Sequence, residues 1–204
     1  MKTVHLLDYG VGNIGSLAAL VGDLGGVGVL TADANVIRDC PVLILPGVGS
    51  ACTALRELAA RDLIAPLAAR HAAGRPIIGI CLGAQLLFEH LDEGPGPGLG
   101  FLRGNVAPLA APARFNTGWC QLDAAALRAT GHATGLHAAD SFFFNHQYVC
   151  PRAPGAQLVT VAGRAEVPAL YVAGHLCGIQ FHPEKSQAQG RRLMKNILRS
   201  YHGL

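Results

Sequence analysis

One segment indicates both the fold and the chemistry of the chain: Ile77-Ile78-Gly79-Ile80-Cys81-Leu82-Gly83-Ala84-Gln85-Leu86-Leu87-Phe88-Glu89. An apolar run enters a Gly-x-Cys-x-Gly turn and a helix-favouring segment leaves it, which is the layout of a nucleophile elbow above a sheet. Glycines are expected on both sides of Cys81 because a sharp turn has no room for a Cβ. The following helix would direct its free N–H groups toward the sulfur and favour the thiolate. A core cysteine in a buried strand is the simpler alternative, but the paired glycines favour a nucleophile.

The composition predicts a single α/β domain spanning residues 1–204. Half of the residues are hydrophobic and only 14% are charged, which is typical of a parallel sheet buried on both faces. The net charge of +3 is small and the basic residues are scattered along the chain. No nucleic-acid partner is therefore expected.

The chain shows none of the sequence patterns of export, membrane insertion or metal binding. Asp8 comes too early for a signal peptide, and no apolar run approaches the ~20 residues of a membrane span. The six cysteines never form a C-x-x-C pair, so neither a metal site nor a disulfide framework is expected. These observations predict reduced thiols and a cytoplasmic location.

The hydrophobic pattern predicts strands at 3–8, 27–30 and 41–45. Apolar residues at helical spacing from Ile14 to Leu24 predict a helix after the first strand. Short strand-like segments are predicted within 101–122 and at 141–149, and two more at 158–162 and 170–172 are expected to be antiparallel. The fold class predicted from this order is α/β: a doubly wound, mostly parallel sheet with helices on both faces and a small antiparallel extension.

Two glycine-rich turns follow predicted strands. Pro46-Gly47-Val48-Gly49-Ser50 is a candidate oxyanion hole, because its N–H groups lie at the carboxyl end of a parallel strand, where ligands bind in such sheets. Gly10-x-Gly12 could instead indicate a dinucleotide site. The third glycine, however, falls at position 15, and Asp33 is the only candidate for the required acidic residue. A simple tight turn is the favoured interpretation of that second segment.

Near the end of the chain, a predicted strand runs into His182-Pro183-Glu184. Pro183 should hold His182 extended, and residues i and i+2 of an extended segment face the same way. A carboxylate beside an imidazole fixes the tautomer and supports the imidazolium, as in catalytic triads. The segment therefore predicts that His182 and Glu184 work with a nucleophile, although a surface or capping histidine is the alternative.

These motifs resemble those of the triad-type (class I) glutamine amidotransferases. Gly79–Gln85 and Gln180–Glu184 are similar to the two signatures of that family almost residue for residue. A wider set of motifs, in this order, resembles the glutaminase subunits of imidazole glycerol phosphate synthase, from histidine biosynthesis: Asp8-Tyr9-Gly10-x-Gly12-Asn13, Leu45-Pro46-Gly47-Val48-Gly49, Cys81-Leu82-Gly83-x-Gln85-Leu86-Leu87-Phe88-Glu89, Gly118-Trp119 and Phe181-His182-Pro183-Glu184-Lys185-Ser186.

The resemblance implies that Cys81 attacks the side-chain amide of glutamine, that His182 passes the proton to departing ammonia, and that Glu184 orients His182. It also implies an oxyanion hole and a set of substrate contacts. The oxyanion would be held by the backbone N–H of Leu82 and by one in the Val48–Gly49 segment. Gly49 and Gln85 would contact glutamine.

The resemblance further implies a heterodimer with a (β/α)8-barrel cyclase, which uses the ammonia to form imidazole glycerol phosphate and an aminoimidazole carboxamide ribotide. Asn13, Trp119 and Lys185 occupy positions that face that partner in the family. No cofactor or metal is expected. Two segments, 115–120 and 145–148, depart from the family's usual residues, so a paralogous glutaminase that serves another synthase, such as a sugar-modifying one, is an alternative.

Two other classes of protein are alternatives to a glutaminase subunit of this synthase. A glutaminase of the vitamin B6 type also uses Cys, His and Glu, but the Tyr9–Asn13 turn and Lys185-Ser186 argue against it. A non-catalytic binding protein with a related cysteine elbow is the second. Such proteins place their histidine near the elbow and lack the late His-Pro-Glu segment.

Overall fold

A seven-stranded sheet forms the centre of the computed structural model, which describes residues 2–94, 96–110 and 114–202. The strands are β1 (Thr3–Leu7), β2 (Val27–Thr31), β3 (Leu43–Leu45), β4 (Ile77–Ile80), β5 (Phe88–Leu91), β6 (Leu102–Pro108), β7 (Asn116–Gln121), β8 (Ser141–His146), β9 (Tyr148–Val149), β10 (Gln157–Val161), β11 (Arg164–Ala173) and β12 (Leu176–Ile179). The helices are α1 (Ile14–Asp23), α2 (Ala34–Asp39), α3 (Ala51–Ala60), α4 (Ile64–Ala72), α5 (Leu82–Gln85), α6 (Ala124–Ala129) and α7 (Gln187–His202).

The central sheet has the order β10-β11-β12-β4-β3-β1-β2. The five strands from β12 to β2 are parallel, and β10 and β11 add an antiparallel edge. Smaller sheets pair β5-β6-β9 and β7-β8. The predicted fold class, a mostly parallel sheet with an antiparallel extension, is confirmed. Within the described ranges, no helix is long and apolar enough to cross a membrane.

Alternate residues of the central strands enter two cores, one on each face of the sheet. Ile44 of β3 packs with apolar residues of α1 and α7. Its neighbours Leu43 and Leu45 pack with residues of α2, α3 and α4 on the opposite face. This alternation follows from the two-residue period of a strand, and it explains the near-continuous apolar runs in the sequence.

Two helices show features that the sequence analysis did not predict. Pro66 lies within α4 without disrupting it, because it occupies the first turn, where its missing N–H has no intrahelical partner. Asp33, the acidic residue considered for a dinucleotide site, has a structural role. It caps α2, which the sequence interpretation had missed, by accepting hydrogen bonds from the N–H groups of Asn35 and Val36 at 2.7 and 3.1 Å.

The helix after the elbow is also shorter than predicted, because α5 contains only four residues. The carbonyls of Leu86, Leu87 and Phe88 accept hydrogen bonds from the returning segment 99–102. These carbonyls are therefore committed to the β5 region and do not extend the helix. A single helical turn carries only a small dipole, so the macrodipole contributes less to the elbow than expected.

Arg70 is a fully buried cation on α4. Its guanidinium donates hydrogen bonds to the carbonyl oxygens of Ile37, Cys40 and Pro76 at 2.9, 2.8 and 2.7 Å. The Ile37 and Cys40 carbonyls lie at the end of α2, and the Pro76 carbonyl, which also accepts from the Leu43 N–H, lies just before β4. Arg70 therefore joins α4, α2 and the central sheet on the second core face.

Replacing Arg70 with methionine should lower the free energy of unfolding by about 3–5 kcal/mol, because several buried carbonyls lose their donors at once. Urea unfolding followed by circular dichroism measures the change. Arg75→Met is the matched control, since the Arg75 side chain is 43% exposed and pairs only with Asp39 among the described residues, through an ion pair at 3.4 Å and a hydrogen bond to the Asp39 carbonyl at 2.9 Å. The cost of this substitution should stay below about 1 kcal/mol. Equal effects of the two substitutions would contradict this role for Arg70.

Candidate active site

Cys81 lies in the turn between β4 and α5 with strained backbone angles of φ 53° and ψ −112°. A non-glycine residue at positive φ costs on the order of 1–3 kcal/mol and persists only where the surroundings enforce it. Here the Cys81 N–H donates to the Ile179 carbonyl of β12 at 2.7 Å. The cysteine is thus held at the carboxyl ends of the parallel strands, as an elbow requires.

The flanking glycines are required by packing. A Cβ on Gly83 would collide with the Leu45 carbonyl oxygen, and one on Gly79 would lie 2.7 Å from the Ala84 Cα. Gly47 has the same constraint, because its Cβ would lie 2.6 Å from the Gly83 nitrogen. The ends of β3 and β4 can therefore approach closely only with glycines at these positions.

His182 and Glu184 form a buried pair. The His182 Nδ1–H donates to Glu184 Oε1 at 2.9 Å, and their side chains are only 4% and 2% exposed. His182 is extended before Pro183, as predicted, but Pro183–Lys185 forms a 3-10 turn. The pair therefore arises from a tight turn that returns the carboxylate to the imidazole, and not from the extended geometry inferred from the sequence.

The charge state of His182 follows from its two neighbours. Burial alone would lower its pKa, but hydrogen bonds with Cys81 and Glu184, together with the charges of these groups, raise the pKa to about 9. The site therefore favours an imidazolium beside the Cys81 sulfur at neutral pH. Such a cation stabilises a thiolate and holds a proton ready for a leaving group.

The turn from His182 to Ser186 is attached to strand β8 through Phe143. The His182 N–H donates to the Phe143 carbonyl at 2.9 Å. The buried Ser186 hydroxyl donates to the His182 carbonyl at 2.6 Å and accepts from the Phe143 N–H at 2.9 Å. Sequence reasoning included Ser186 in a motif but did not identify this attachment, because its partner lies 43 residues away.

A cavity of about 480 Å³ brings most of the predicted site residues together. Its lining includes Cys81, His182, Val48, Gly49, Leu82 and Gln85. Gly49 has a φ of +86°, a conformation that suits glycine, and Val48 is 37% exposed at the rim. Glu184 lies behind His182, so the imidazole separates the carboxylate from the cavity.

The predicted partner residues lie at the cavity or on the surface near it. Asn13 and Lys185 line it, whereas Trp119 stands on the neighbouring surface, 47% exposed. Phe143 connects two of them: its ring packs edge-on against Trp119 at 5.8 Å, and Lys185 Nζ lies 6.0 Å from its centroid. Phe115, which sequence reasoning did not select, adds a second exposed aromatic ring at the rim.

Glu93 is a cavity residue that the motifs did not indicate. One carboxylate oxygen accepts from the N–H of Ala51 at 2.9 Å, at the start of α3. This contact joins the glycine-rich loop after β5 to the oxyanion segment. Nothing in the local sequence distinguishes Glu93 from Asp92, because the 42-residue separation from Ala51 is bridged only in the folded chain.

The cavity thus combines a strained cysteine, a buried His-Glu pair behind it and a glycine-rich strand exit at one edge of the central sheet. The family model described as glutamine amidotransferase class-I matches residues 5–200. The chain belongs to this family and is an enzyme of this kind, which confirms the resemblance seen in the two motifs.

Two curated relatives point to one group within this family. The chain is 39% identical over 204 residues to a Lactococcus lactis subsp. lactis protein, covering 97% of this chain and 98% of the relative. It is 38% identical to a Rhodopirellula baltica protein, covering 95% and 96%. Both relatives are named imidazole glycerol phosphate synthase subunit HisH. The resemblance to the glutaminase subunits of that synthase is thereby confirmed.

Solved structures support the fold. One described as a glutamine amidotransferase superposes with a TM-score of 0.74 at 22% identity, covering 96% of this chain and 97% of that one. PurLQS from Thermotoga maritima superposes with a TM-score of 0.72 at 17% identity, covering 98% of both chains. The shared architecture thus extends over almost the whole chain.

Proposed function

We propose that the chain hydrolyses glutamine to glutamate and ammonia through Cys81, His182 and Glu184, and supplies the ammonia to a partner subunit in histidine biosynthesis. The observation that carries the proposal is the strained Cys81 beside a buried imidazole–carboxylate pair, on a cavity large enough for an amino acid. The HisH relatives support the pathway.

The chemistry begins with attack of the Cys81 sulfur on the side-chain amide carbon of glutamine, which moves the carbonyl electron pair onto oxygen. Collapse of this intermediate breaks the C–N bond, and His182 gives its proton to the departing nitrogen, forming ammonia. Water then loses a proton to His182 and attacks the thioester, releasing glutamate and restoring Cys81. Glu184 holds the imidazole in the required tautomer and stabilises its charged form throughout.

The cavity offers complementary groups for the rest of the substrate. The N–H of Leu82 and one from the Val48–Gly49 segment would hold the oxyanion. Gln85 and Gly49 would contact glutamine, and the free oxygen of Glu93 supplies a negative charge suited to its α-ammonium group.

The partner we propose is a (β/α)8-barrel cyclase, which uses the ammonia to form imidazole glycerol phosphate and an aminoimidazole carboxamide ribotide in the cytoplasm. Asn13, Trp119 and Lys185 form its docking surface beside the cavity. Exposed aromatic rings next to a lysine are typical of the residues that carry binding energy at interfaces. The reaction needs no cofactor, because the thiol and the backbone donors suffice.

The test is glutamate release by the chain alone, with the cyclase, and with the cyclase plus its ribotide substrate. We expect the full mixture to release glutamate at least about tenfold faster than the chain alone, because a bound partner can raise the population of the catalytically competent conformation of the chain. Trp119→Ala is the matched control: it should keep the basal rate and lose most of the stimulation. Hydrolysis that the cyclase never stimulates would reassign the partner to another synthase. Absence of hydrolysis in every mixture would favour a binding protein.

A further inference from the structure

A line of hydrogen-bonded polar groups runs from the partly exposed Arg164 on β11 to the substrate cavity without touching Cys81. Arg164 Nη1 donates to Asn116 Oδ1 at 2.9 Å, and Asn116 Nδ2 lies 3.0 Å from His146 Nε2. His146 Nδ1 lies 2.8 Å from the Tyr148 carbonyl oxygen. Asn116 and His146 are only 4% and 5% exposed. Buried side chains of this kind are costly unless paired, so the arrangement is strongly determined.

The donors and acceptors of this line can be assigned in one direction only. A guanidinium only donates, so the Asn116 oxygen must face Arg164 and its NH₂ must face His146. His146 Nε2 therefore accepts, which places the ring proton on Nδ1, and Nδ1–H donates to the Tyr148 carbonyl. Burial is the main cause that lowers the pKa of His146, to about 4. The neutral ring that this assignment needs is thus the stable form at neutral pH.

The line ends on Gln85. The Tyr148 carbonyl accepts a second hydrogen bond, from Gln85 Nε2 at 3.1 Å, and the same NH₂ group donates to Gln180 Oε1 at 3.1 Å. Both N–H groups of Gln85 are thus committed. Its Oε1 accepts no hydrogen bond from the described part of the chain, and the residue lines the cavity. Gln85 therefore presents an acceptor, and not a donor, to whatever occupies the cavity.

We propose that Arg164, Asn116 and His146 are positioning residues that lock the Gln85 amide with its oxygen toward the cavity, so that the site selects a substrate N–H group. This inference rests on the proposed function, since glutamine carries such groups on its α-ammonium and its amide. Without the line, the Tyr148 carbonyl loses the His146 donor and keeps only Gln85. The carbonyl is then no longer held in place from the other side, so the partner that orients the Gln85 amide can move. Either face of the amide could then turn to the substrate.

The expected signature is a change in KM and not in kcat, because an interaction made equally with substrate and transition state affects binding alone. His146→Leu and Asn116→Leu should each raise the KM for glutamine about tenfold, with kcat within about twofold of wild type. His146→Asn should restore most of the affinity, since its amide can replace Nδ1–H as donor to the Tyr148 carbonyl. Thr117→Ala is the matched control, because Thr117 lies beside Asn116 on β7 but bonds only to Asn145, at 3.1 Å; its KM should not change.

The assays use the chain together with its cyclase and the ribotide, and circular dichroism checks the fold of each variant. Folded leucine variants with wild-type KM, or with kcat reduced as much as affinity, would overturn the positioning role. If wild-type protein releases no glutamate, the proposed function is wrong. If wild-type protein has normal turnover and the variants are unchanged from it, only the positioning role is wrong.

Long-range nitrogen–proton NMR of wild-type protein tests the assignment even if a variant misfolds: we expect His146 to be protonated on Nδ1 alone at pH 7. Protonation on Nε2 would refute the assignment.

Discussion

Replacement of Cys81 by alanine should reduce glutamate release by at least about 10⁴-fold while the protein remains folded. The substitution removes the proposed nucleophile and leaves the proposed oxyanion donors and the His182–Glu184 pair in place. The fold should persist, because the Cys81 side chain faces the cavity and the strained turn is enforced by neighbouring backbone. Release is measured by coupled detection of glutamate, and thermal unfolding reports the fold.

Cys52→Ala is the matched control for this experiment. Cys52 is an exposed thiol on α3, so its removal tests whether thiol loss in general affects the assay. We expect wild-type activity from this variant. Substantial turnover by a folded Cys81→Ala protein would exclude Cys81 as the nucleophile and with it the thioester route.

Replacement of Glu184 by glutamine should lower kcat by about 10³-fold with little change in stability. The two side chains have nearly the same shape, but glutamine carries no charge to support the imidazolium. Glu184 and Cys81 both raise the pKa of His182, so the substitution should also move that pKa downward. The enzyme would then lose the proton donor for ammonia at a lower pH than wild type.

The pH dependence of kcat distinguishes loss of the Glu184 charge from a disturbance of the fold as the cause of the lower kcat. A shift of the His182 titration to lower pH, together with the fall in kcat, is the expected result. Glu57→Gln is the control, since Glu57 lies on α3 and pairs only with surface arginines; its profile should match wild type. A Glu184→Gln enzyme with near-normal kcat would remove Glu184 from the triad.

Much of the architecture was predictable from local sequence. The apolar runs predicted parallel strands buried on both faces, and the Gly-x-Cys-x-Gly spacing predicted a tight strand exit. In the structure the two halves of the proposed triad, Cys81 and His182, meet because their strands β4 and β12 are neighbours. This adjacency follows a general property of parallel sheets, whose carboxyl ends share one edge.

The remaining features depend on contacts between distant residues. The length of α5 is limited by hydrogen bonds from segment 99–102, and a single-turn helix has no periodic signature of its own. The Arg164–Asn116 hydrogen bond spans 48 residues. Neither side chain belongs to one of the family motifs, so only the folded chain, which brings the start of β11 to the start of β7, shows that they meet. Glu184 was selected correctly as the partner of His182, but for a geometric reason that the 3-10 turn contradicts.

The main chain and the side chain of Phe143 contact different parts of the molecule. Its amide and carbonyl hold the turn from His182 to Ser186, and these bonds do not depend on the identity of residue 143. Its ring, by contrast, contacts Trp119 and Lys185 of the proposed docking surface. Evolution can therefore exchange the side chain at this position, and with it part of that surface, while the attachment of His182 is inherited unchanged.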